Sequence, residues 1–207
     1  MIDRTLTGTV GRLQHAGDHF LGSAFAHGAG DTHNLHADAL AAITVGLELG
    51  VTQEKIQESL SNFRNMAGRQ EIFEAKGRTI IKDCYNAGPE SMAAALTVLG
   101  NRTGRRVAVL GDMLELGTAA QAEHYRVGRI AAEKADLLLA YGPNSCRVIS
   151  GAVTGGMPDG RAWGYEDQKE LTEALCRLSK PGDVILFKGS NGMHMDWILD
   201  AFLKDET

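Results

Sequence analysis

Asp83, Tyr85 and Asn86 form the segment of this chain whose residue types are best suited to chemistry. They follow the β-branched run Ile80-Ile81 and precede Gly88-Pro89, which opens an alanine-rich stretch. This order predicts a strand, a polar loop and a helix with proline in its first turn. In open α/β sheets ligands bind beyond the carboxyl ends of strands, and a helix N-terminus there offers N–H groups to an anion. The segment is therefore a candidate site for a phosphorylated ligand, and an ordinary strand-turn-helix connection is the alternative.

Two later loops place polar side chains after apolar runs in the same way. Asp112 and Glu115 lie in the glycine-bracketed segment Gly111–Gly117, where two acids could face a ligand amine or a metal-bound phosphate. Lys188 ends an apolar run and is followed closely by Ser190, an arrangement that suits a carboxylate or a phosphate. For each of these loops the alternative is an ordinary connection with solvated side chains.

Arg69 is a further candidate because it lies in the segment where the pattern of the chain changes. A hinge arginine can close onto a phosphate or a ribose, and a surface salt bridge is the alternative role. The chain contains no Walker A sequence, G-x-x-x-x-G-K-[ST], and no G-x-G-x-x-G opens its first βα unit. The residues therefore indicate no ATP phosphate cradle in this chain, and we predict no catalytic residue in it.

From residue 70 onward, short apolar runs alternate with helical patterns, and these are the elements that must position the loops. The predicted strands are Arg78–Lys82, Arg106–Leu110, Leu137–Tyr141, Ala162–Tyr165 and Val184–Lys188. The predicted helices are Pro89–Leu99, Ala119–Glu133, Ser145–Val153, Gln168–Leu178 and Met193–Leu203. Such alternation predicts an α/β fold, with a mostly parallel sheet and helices on both faces.

The first third of the chain has a different pattern. Two helices are predicted over His36–Gly50 and Gln53–Phe63, with Thr52 capping the second. Residues 1–33 are rich in glycine and histidine, which is compatible with a β-hairpin or a flexible lead. These histidines lack the helical spacing and the acidic partner of zinc enzymes, so we predict no metal site there. The predicted domains are residues 1–66 and 67–207.

Composition excludes several classes of protein. The chain has 207 residues, 43% of them hydrophobic, and a net charge of −5, which gives no general attraction to nucleic acid or anionic membranes. No apolar run is long enough to span a bilayer, and the N-terminus does not read as a signal peptide. The odd count of three cysteines without C-x-x-C spacing argues against a disulfide framework or a zinc site. We therefore expect a cytoplasmic protein.

Together these motifs resemble the Mur ligase family, most closely its D-alanyl-D-alanine-adding branch. The Tyr-Asn-Ala-x-Pro and Gly-Asp-Met-Leu-Glu-Leu-Gly sequences are specific to that branch, whereas Gly-Arg and His-Asn are shared across the family. The matching segments stand in family order: His33-Asn34, Asp38–Ala42, Gly68-Arg69, Asp83–Met92, Leu110–Gly117 and Lys188–Met193.

The resemblance implies an ADP-forming ligase of peptidoglycan precursor synthesis with a UDP-substrate domain, a central ATPase domain and a Rossmann-like C-terminal domain. In that family ATP, with Mg²⁺, phosphorylates the carboxylate of UDP-MurNAc-tripeptide. The amine of D-Ala-D-Ala then attacks the acyl phosphate, which gives an amide, ADP and phosphate. Residues 1–66 would correspond to the end of the ATPase domain and residues 67–207 to the C-terminal domain.

The resemblance also implies roles for individual residues. Asn34 would contact adenine, and Arg69 and Asp83 would reach the nucleotide from the C-terminal domain. Tyr85 and Asn86 would line the same cleft. For the part of the cleft that binds the dipeptide, the resemblance implies Asp112, Glu115, Lys188 and Ser190.

The family's phosphate loop, magnesium ligands and UDP-binding domain have no counterpart in these residues, so we expect the chain alone to be inactive. Two alternatives stay open. One is another amide ligase of the superfamily, of the folylpolyglutamate or cyanophycin type, and the other is a non-catalytic α/β binding module.

Overall fold

The computed structural model describes residues 32–62 and 69–204, with side chains from residue 39 onward. The chain divides into two compact units, Met1–Arg64 and Asn65–Thr207, and each is described by itself. Within the described residues, no helix combines the length and the apolar character that crossing a bilayer requires. The glycine- and histidine-rich residues 1–31 lie outside the described part of the chain.

The first unit contains two helices, α1 (Thr32–Glu48) and α2 (Gln53–Ser61). Helix α1 begins before the predicted start at His36. Gly50 follows it with φ +75°, a left-handed conformation that suits glycine after a helix end. The Thr52 hydroxyl accepts the Lys55 N–H at 3.4 Å, so the predicted cap of α2 is confirmed.

The second unit alternates strands and helices as expected. The strands are β1 (Glu71–Ala75), β2 (Arg78–Asp83), β3 (Arg106–Gly111), β4 (Leu137–Tyr141), β5 (Ala162–Tyr165) and β6 (Val184–Lys188). The helices are α3 (Pro89–Gly100), α4 (Ala120–Lys134), α5 (Ser145–Thr154), α6 (Gln168–Leu178) and α7 (Met195–Lys204). One-turn 3₁₀ helices, Gly117–Ala119 and Asn191–Met193, precede α4 and α7.

These strands form one sheet in the order β1-β2-β6-β3-β4-β5. All neighbouring pairs are parallel except β1 with β2, so the predicted α/β class with a mostly parallel sheet is confirmed. Apolar residues of α3, α4 and α5 share one core with the sheet, and those of α6 and α7 share the other. Buried parallel strands covered on both faces explain why the strand sequences are nearly continuous apolar runs.

The edge strand β1 was not predicted from the sequence. Its residues alternate between partly buried and exposed, and two of its five residues are glutamates, so it lacks an apolar run. It joins β2 through Lys76 and Gly77, which have φ values of +52° and +69°. Two successive positive φ values fit the tight turn of a two-residue hairpin, whose backbone twist matches that of the two flanking strands.

Helices α4 and α5 cross unusually closely because glycines face each other's backbone. A Cβ atom on Gly128 of α4 would overlap the carbonyl oxygen of Val148, and one on Gly151 of α5 would overlap that of Tyr125. Both obstacles are backbone atoms, which cannot rotate away. The two glycines therefore set the separation of these helices.

We expect Gly128→Ala to lower the free energy of unfolding by about 3 kcal/mol, because overpacking must separate the two helices. Helix propensity alone would change stability in the opposite direction, by about 1 kcal/mol in favour of alanine. Gly88→Ala is the control, since its Cβ would meet no atom within 4 Å, and it should cost less than about 1 kcal/mol. Urea denaturation of both variants measures the difference, and equal losses would contradict the close-crossing explanation.

Candidate functional site

The carboxyl ends of four neighbouring strands meet at one edge of the sheet. Asp83 at the end of β2 pairs in register with Lys188 at the end of β6, and Lys188 pairs with Leu110 of β3. Gly111 then pairs with Tyr141 of β4. The loops that the sequence analysis singled out therefore lie side by side.

The strand order creates a crevice at this edge. Strands β2 and β3 continue into α3 and α4, which pack on one face, whereas β6 lies between them and continues into α7 on the opposite face. Connections that leave neighbouring strands toward opposite faces open a crevice, which is the usual ligand site of such sheets.

Lys188 and Asp83 form a buried ion pair at the floor of this edge. The Lys188 Nζ donates to Asp83 Oδ2 at 2.7 Å and to the Asn86 carbonyl oxygen at 2.9 Å. The side chains are only 2% and 10% exposed, respectively. Two of the three ammonium hydrogens of Lys188 thus have internal partners. The structure places Lys188 as a connector between the β2 and β6 ends.

Ser190 connects the same loops at a second point. Its hydroxyl donates to the Ala87 carbonyl at 3.3 Å and accepts the Leu114 N–H at 2.9 Å. Its own N–H donates to the Asp112 carbonyl at 3.1 Å. Because Ser190 is 5% exposed, these bonds are formed largely away from solvent. The loops after β2, β3 and β6 are therefore one connected structure.

Two glycines allow these loops to approach so closely. A Cβ on Gly189 would lie 3.0 Å from the Gly111 Cα and 2.7 Å from the Met195 side chain. A Cβ on Gly111 would lie 2.6 Å from the Met195 sulfur. Met195 packs where both side chains would otherwise be, which explains glycine at these two positions.

Asp112 is buried, and its carboxylate is bound by Asn144. The Asn144 side-chain amide donates to Asp112 Oδ2 at 2.7 Å, and its backbone N–H donates to the same oxygen at 3.1 Å. Gly142 leaves room for this carboxylate, since a Cβ there would lie 2.8 Å from it. Asp112 therefore faces the start of α5 and is only 2% exposed.

His124 of α4 supports the same loop from the other side. Its Nδ1 lies 2.6 Å from the Ala120 carbonyl, and its Nε2 accepts the Met113 N–H at 3.0 Å. These partners assign the proton to Nδ1 and leave the ring neutral. Although Nε2 is 3.6 Å from Asp112 Oδ1, it carries no proton to share, so this contact is not an ion pair.

Glu115 lies at the exposed tip of the Gly111–Gly117 loop. Its φ is +65°, a left-handed conformation that few residues other than glycine adopt. Such backbone strain persists only where the surrounding structure imposes it, and it is concentrated at functional sites.

Arg69 and Tyr85 form an exposed pair beside this edge. The Arg69 guanidinium carbon lies 4.3 Å from the centre of the Tyr85 ring, a cation–π geometry. Tyr85 is 47% exposed. The Asn86 side-chain oxygen accepts the Ala87 N–H at 2.8 Å, which shapes the turn into α3. Asn34 lies in the first turn of α1, in the other unit, and its side chain is outside the described set.

Cys84 lies within the site but is not a nucleophile. Burial raises the pKa of its thiol to about 12, so the thiol stays protonated at neutral pH. Its Sγ–H donates to the Phe187 carbonyl at 3.5 Å. Cys84 is buried, whereas Cys146 is exposed.

The contributions of His124 and Asn144 to this site were not predicted from the sequence. Asn144 lies at the start of α5, but its side chain makes no cap there. His124 lies within an amphipathic helix pattern, which contains no signal for a partner eleven residues earlier. Only the fold brings these two side chains to the β3 loop.

The chain matches a protein-family model described as "Mur ligase, glutamate ligase domain" over residues 68–191. Among curated proteins, it is 35% identical over 176 residues to the UDP-N-acetylmuramoyl-tripeptide–D-alanyl-D-alanine ligase of Bacillus subtilis. That match covers 83% of this chain and 38% of the relative.

Solved structures agree with the sequence match. A MurF crystal structure from Acinetobacter baumannii superposes with a TM-score of 0.77 at 32% identity, covering 86% of this chain and 39% of that one. MurF from Thermotoga maritima, solved in complex with ADP, gives a TM-score of 0.67 at 26% identity, covering 80% and 36%. The chain thus spans less than two fifths of the length of these relatives.

We expect Lys188→Met to lower the free energy of unfolding by about 3–5 kcal/mol, since it leaves the buried Asp83 carboxylate unpaired. The double variant Asp83→Leu/Lys188→Met should lose less than the sum of its two single variants, because the charges leave together. Lys169→Met, at an exposed pair with Glu173, is the control and should change little. Guanidinium denaturation measures all four variants, and additive losses would contradict the pairing.

Thiol labelling separately tests whether a reagent can reach the interior of the site. At mildly alkaline pH, iodoacetamide should alkylate the exposed Cys146 in the folded chain and leave Cys84 unmodified, because the Cys84 thiol is buried with a pKa of about 12. In denaturant both cysteines should react alike. Peptide mass spectrometry measures the two rates, and equal labelling in the folded chain would show that this edge of the sheet opens readily.

Proposed function

Since this chain belongs to the Mur ligase family, we propose that it forms the acceptor-binding part of an ATP-dependent ligase. This ligase joins D-Ala-D-Ala to UDP-MurNAc-tripeptide in peptidoglycan precursor synthesis. Residues 67–207 act as its C-terminal domain, and residues 1–66 belong to the end of its central ATPase domain. Because the proposed substrates are cytoplasmic precursors, the proposal places the chain in the cytoplasm.

One observation carries the proposal: the two motifs specific to the D-Ala-D-Ala-adding branch are held together as one wall of the crevice. The Asp83 loop and the Gly111–Gly117 loop are joined through Lys188 and Ser190. A wall built from connected loops keeps its shape without a ligand, which reduces the entropic cost of binding.

On the nucleotide side, this wall consists of polar side chains, some exposed to solvent and some fixed by internal contacts. The Arg69 guanidinium lies over the Tyr85 ring, and a guanidinium suits a phosphate or a ribose. Asn86 and Asp83 lie on the same loop and are proposed nucleotide contacts. Asn34, which lies in the first unit, is proposed by itself as an adenine contact of the ligase. Asp83 acts there mainly by fixing Lys188 and the loop, since its carboxylate is nearly buried.

The dipeptide side is formed by the Gly111–Gly117 loop and the residues after β6. Glu115 presents an exposed carboxylate that can pair with the ammonium group of an incoming dipeptide. Asp112, Lys188 and Ser190 have internal partners and set the shape of this surface. The chain thereby binds and orients the acceptor amine.

Mg²⁺ is not assigned to this chain, because the residues do not fit a magnesium site. Among residues 39–62 and 69–204, no group of three potential metal ligands lies together. The two buried carboxylates at the crevice, Asp83 and Asp112, already bind Lys188 and Asn144. In the proposal the main phosphate-binding loop for ATP and the Mg²⁺ site belong to parts of the ligase that these residues do not supply.

The reaction proposed for the whole ligase is an acyl-phosphate ligation. ATP transfers a phosphoryl group to the substrate carboxylate, and the dipeptide amine displaces phosphate to form the amide. Holding the amine next to the acyl phosphate makes the second step effectively unimolecular, which is a large part of catalysis. That positioning is the contribution of this chain.

The proposal predicts a stereospecific acceptor preference. In a titration of the ¹⁵N-labelled chain, D-Ala-D-Ala should shift the amide resonances of the Gly111–Gly117 loop and of residues after Lys188 in a saturable way. The matched ligands L-Ala-L-Ala and L-Glu should not, because a glutamate-adding relative would favour L-Glu. Millimolar ligand is required, since a lone domain supplies only part of the contacts.

The same samples define the outcomes against the proposal. Saturable binding of L-Glu in place of the dipeptide would favour a folylpolyglutamate-type ligase. Absence of binding by any acceptor would favour a non-catalytic module. The chain mixed with ATP, Mg²⁺, UDP-MurNAc-tripeptide and D-Ala-D-Ala should form no ADP, because the sequence has no Walker A loop.

A further inference from the structure

Two consecutive backbone amides at the start of the Gly111–Gly117 loop are each held by a side chain from elsewhere. The Met113 N–H donates to His124 Nε2 at 3.0 Å, and the Leu114 N–H donates to the Ser190 hydroxyl at 2.9 Å. His124 belongs to α4 and Ser190 follows β6, so the loop is held from two separate elements. The next residue is Glu115, which has the left-handed φ of +65°.

His124 has no other evident use at this site. The ring is 1% exposed, its Nδ1–H is occupied by the Ala120 carbonyl, and its Nε2 lone pair is occupied by the Met113 N–H. A side chain with both ring nitrogens bound internally cannot accept a proton from a substrate without losing a bond. Its contribution is therefore to the geometry of the loop.

The two carboxylates of the loop differ in their exposure to solvent and in their internal hydrogen bonds. Asp112 is 2% exposed and accepts hydrogen bonds from the backbone and the side chain of Asn144. Glu115 is exposed. Of these two carboxylates, only Glu115 can therefore reach a ligand without breaking internal hydrogen bonds. The direction of its side chain depends on its own left-handed backbone, which directly follows the two hydrogen-bonded amides.

We propose that His124 is a positioning residue of the acceptor site. By holding the Met113 N–H, it maintains the left-handed backbone at Glu115 and so directs the Glu115 carboxylate to the ammonium group of the acceptor dipeptide. The acceptor part of this inference rests on the proposed function. The part that concerns the loop rests on geometry alone.

Two substitutions of similar side-chain geometry test the two hydrogen bonds of His124 one at a time. In His124→Gln the side-chain oxygen can occupy the position of Nε2 and accept the Met113 N–H. In His124→Asn the amide can occupy the position of Nδ1 and donate to Ala120, but nothing reaches Met113. We expect hydrogen exchange of the Met113 amide to accelerate at least about tenfold in His124→Asn and to stay near the wild-type rate in His124→Gln. Unchanged exchange in His124→Asn would overturn the proposal.

Dipeptide binding gives the functional test in the full chain. D-Ala-D-Ala affinity should fall about tenfold in His124→Asn and in Glu115→Gln, a loss typical of one charge-assisted contact, and should be nearly retained in His124→Gln. The double variant His124→Asn/Glu115→Gln should bind no more weakly than Glu115→Gln alone, because both changes remove one interaction. Additive losses would show that His124 acts by another route and would overturn the proposal.

A measurement on the wild-type chain keeps the test independent of variants that fail to fold. Binding of D-Ala-D-Ala should slow exchange of the Met113 amide further, because the ligand stabilises the held loop. Dipeptide binding without added protection at Met113 would overturn the positioning role. If the wild-type chain binds no dipeptide, the proposed function and the acceptor role of His124 both fail, while the exchange rates of the two variants still decide whether His124 holds the loop.

Discussion

The buried ion pair between Lys188 and Asp83 is the interaction on which the rest of the site depends. A buried ammonium group must be paired and hydrogen-bonded, because its desolvation is otherwise too costly. Lys188 meets this requirement with the Asp83 carboxylate and the Asn86 carbonyl, both from the β2 end. The pair thereby fixes β6 against β2 at the point where their following connections diverge. The crevice opens next to this fixed point.

The polar residues at this sheet edge divide into an internal and an external group. The internal group holds the loops together, and its members are Asp83, Asp112, His124, Asn144, Lys188 and Ser190. The external group faces solvent, and its members are Arg69, Tyr85, Asn86 and Glu115. This division has an energetic reason, since polar groups buried in a loop junction must be bound to one another. A ligand can then be recognised by the few groups that remain outside.

Most elements of the second unit could be predicted from the sequence, because each carries a strong local signal. The strand Val184–Lys188 and the helix Gln168–Leu178 have the predicted bounds, since an apolar run and a helical period mark them directly. Asp167 also caps that helix by accepting two backbone N–H groups. The strand Glu71–Ala75 escaped prediction because an edge strand with an exposed face needs no apolar run. It is stabilised instead by its pairing with β2.

The sequence by itself determined the α/β class, the loops that carry polar residues and their placement at a common edge. These follow from local periodicity and from the rule that parallel strands end on the same side. Only the tertiary structure decided that β6 inserts between β2 and β3, that Lys188 binds Asp83, and that His124 reaches Met113. Lys188 and Asp83 are 105 residues apart in the chain. Partners at such separations are chosen by strand order and register, which local residue patterns do not encode.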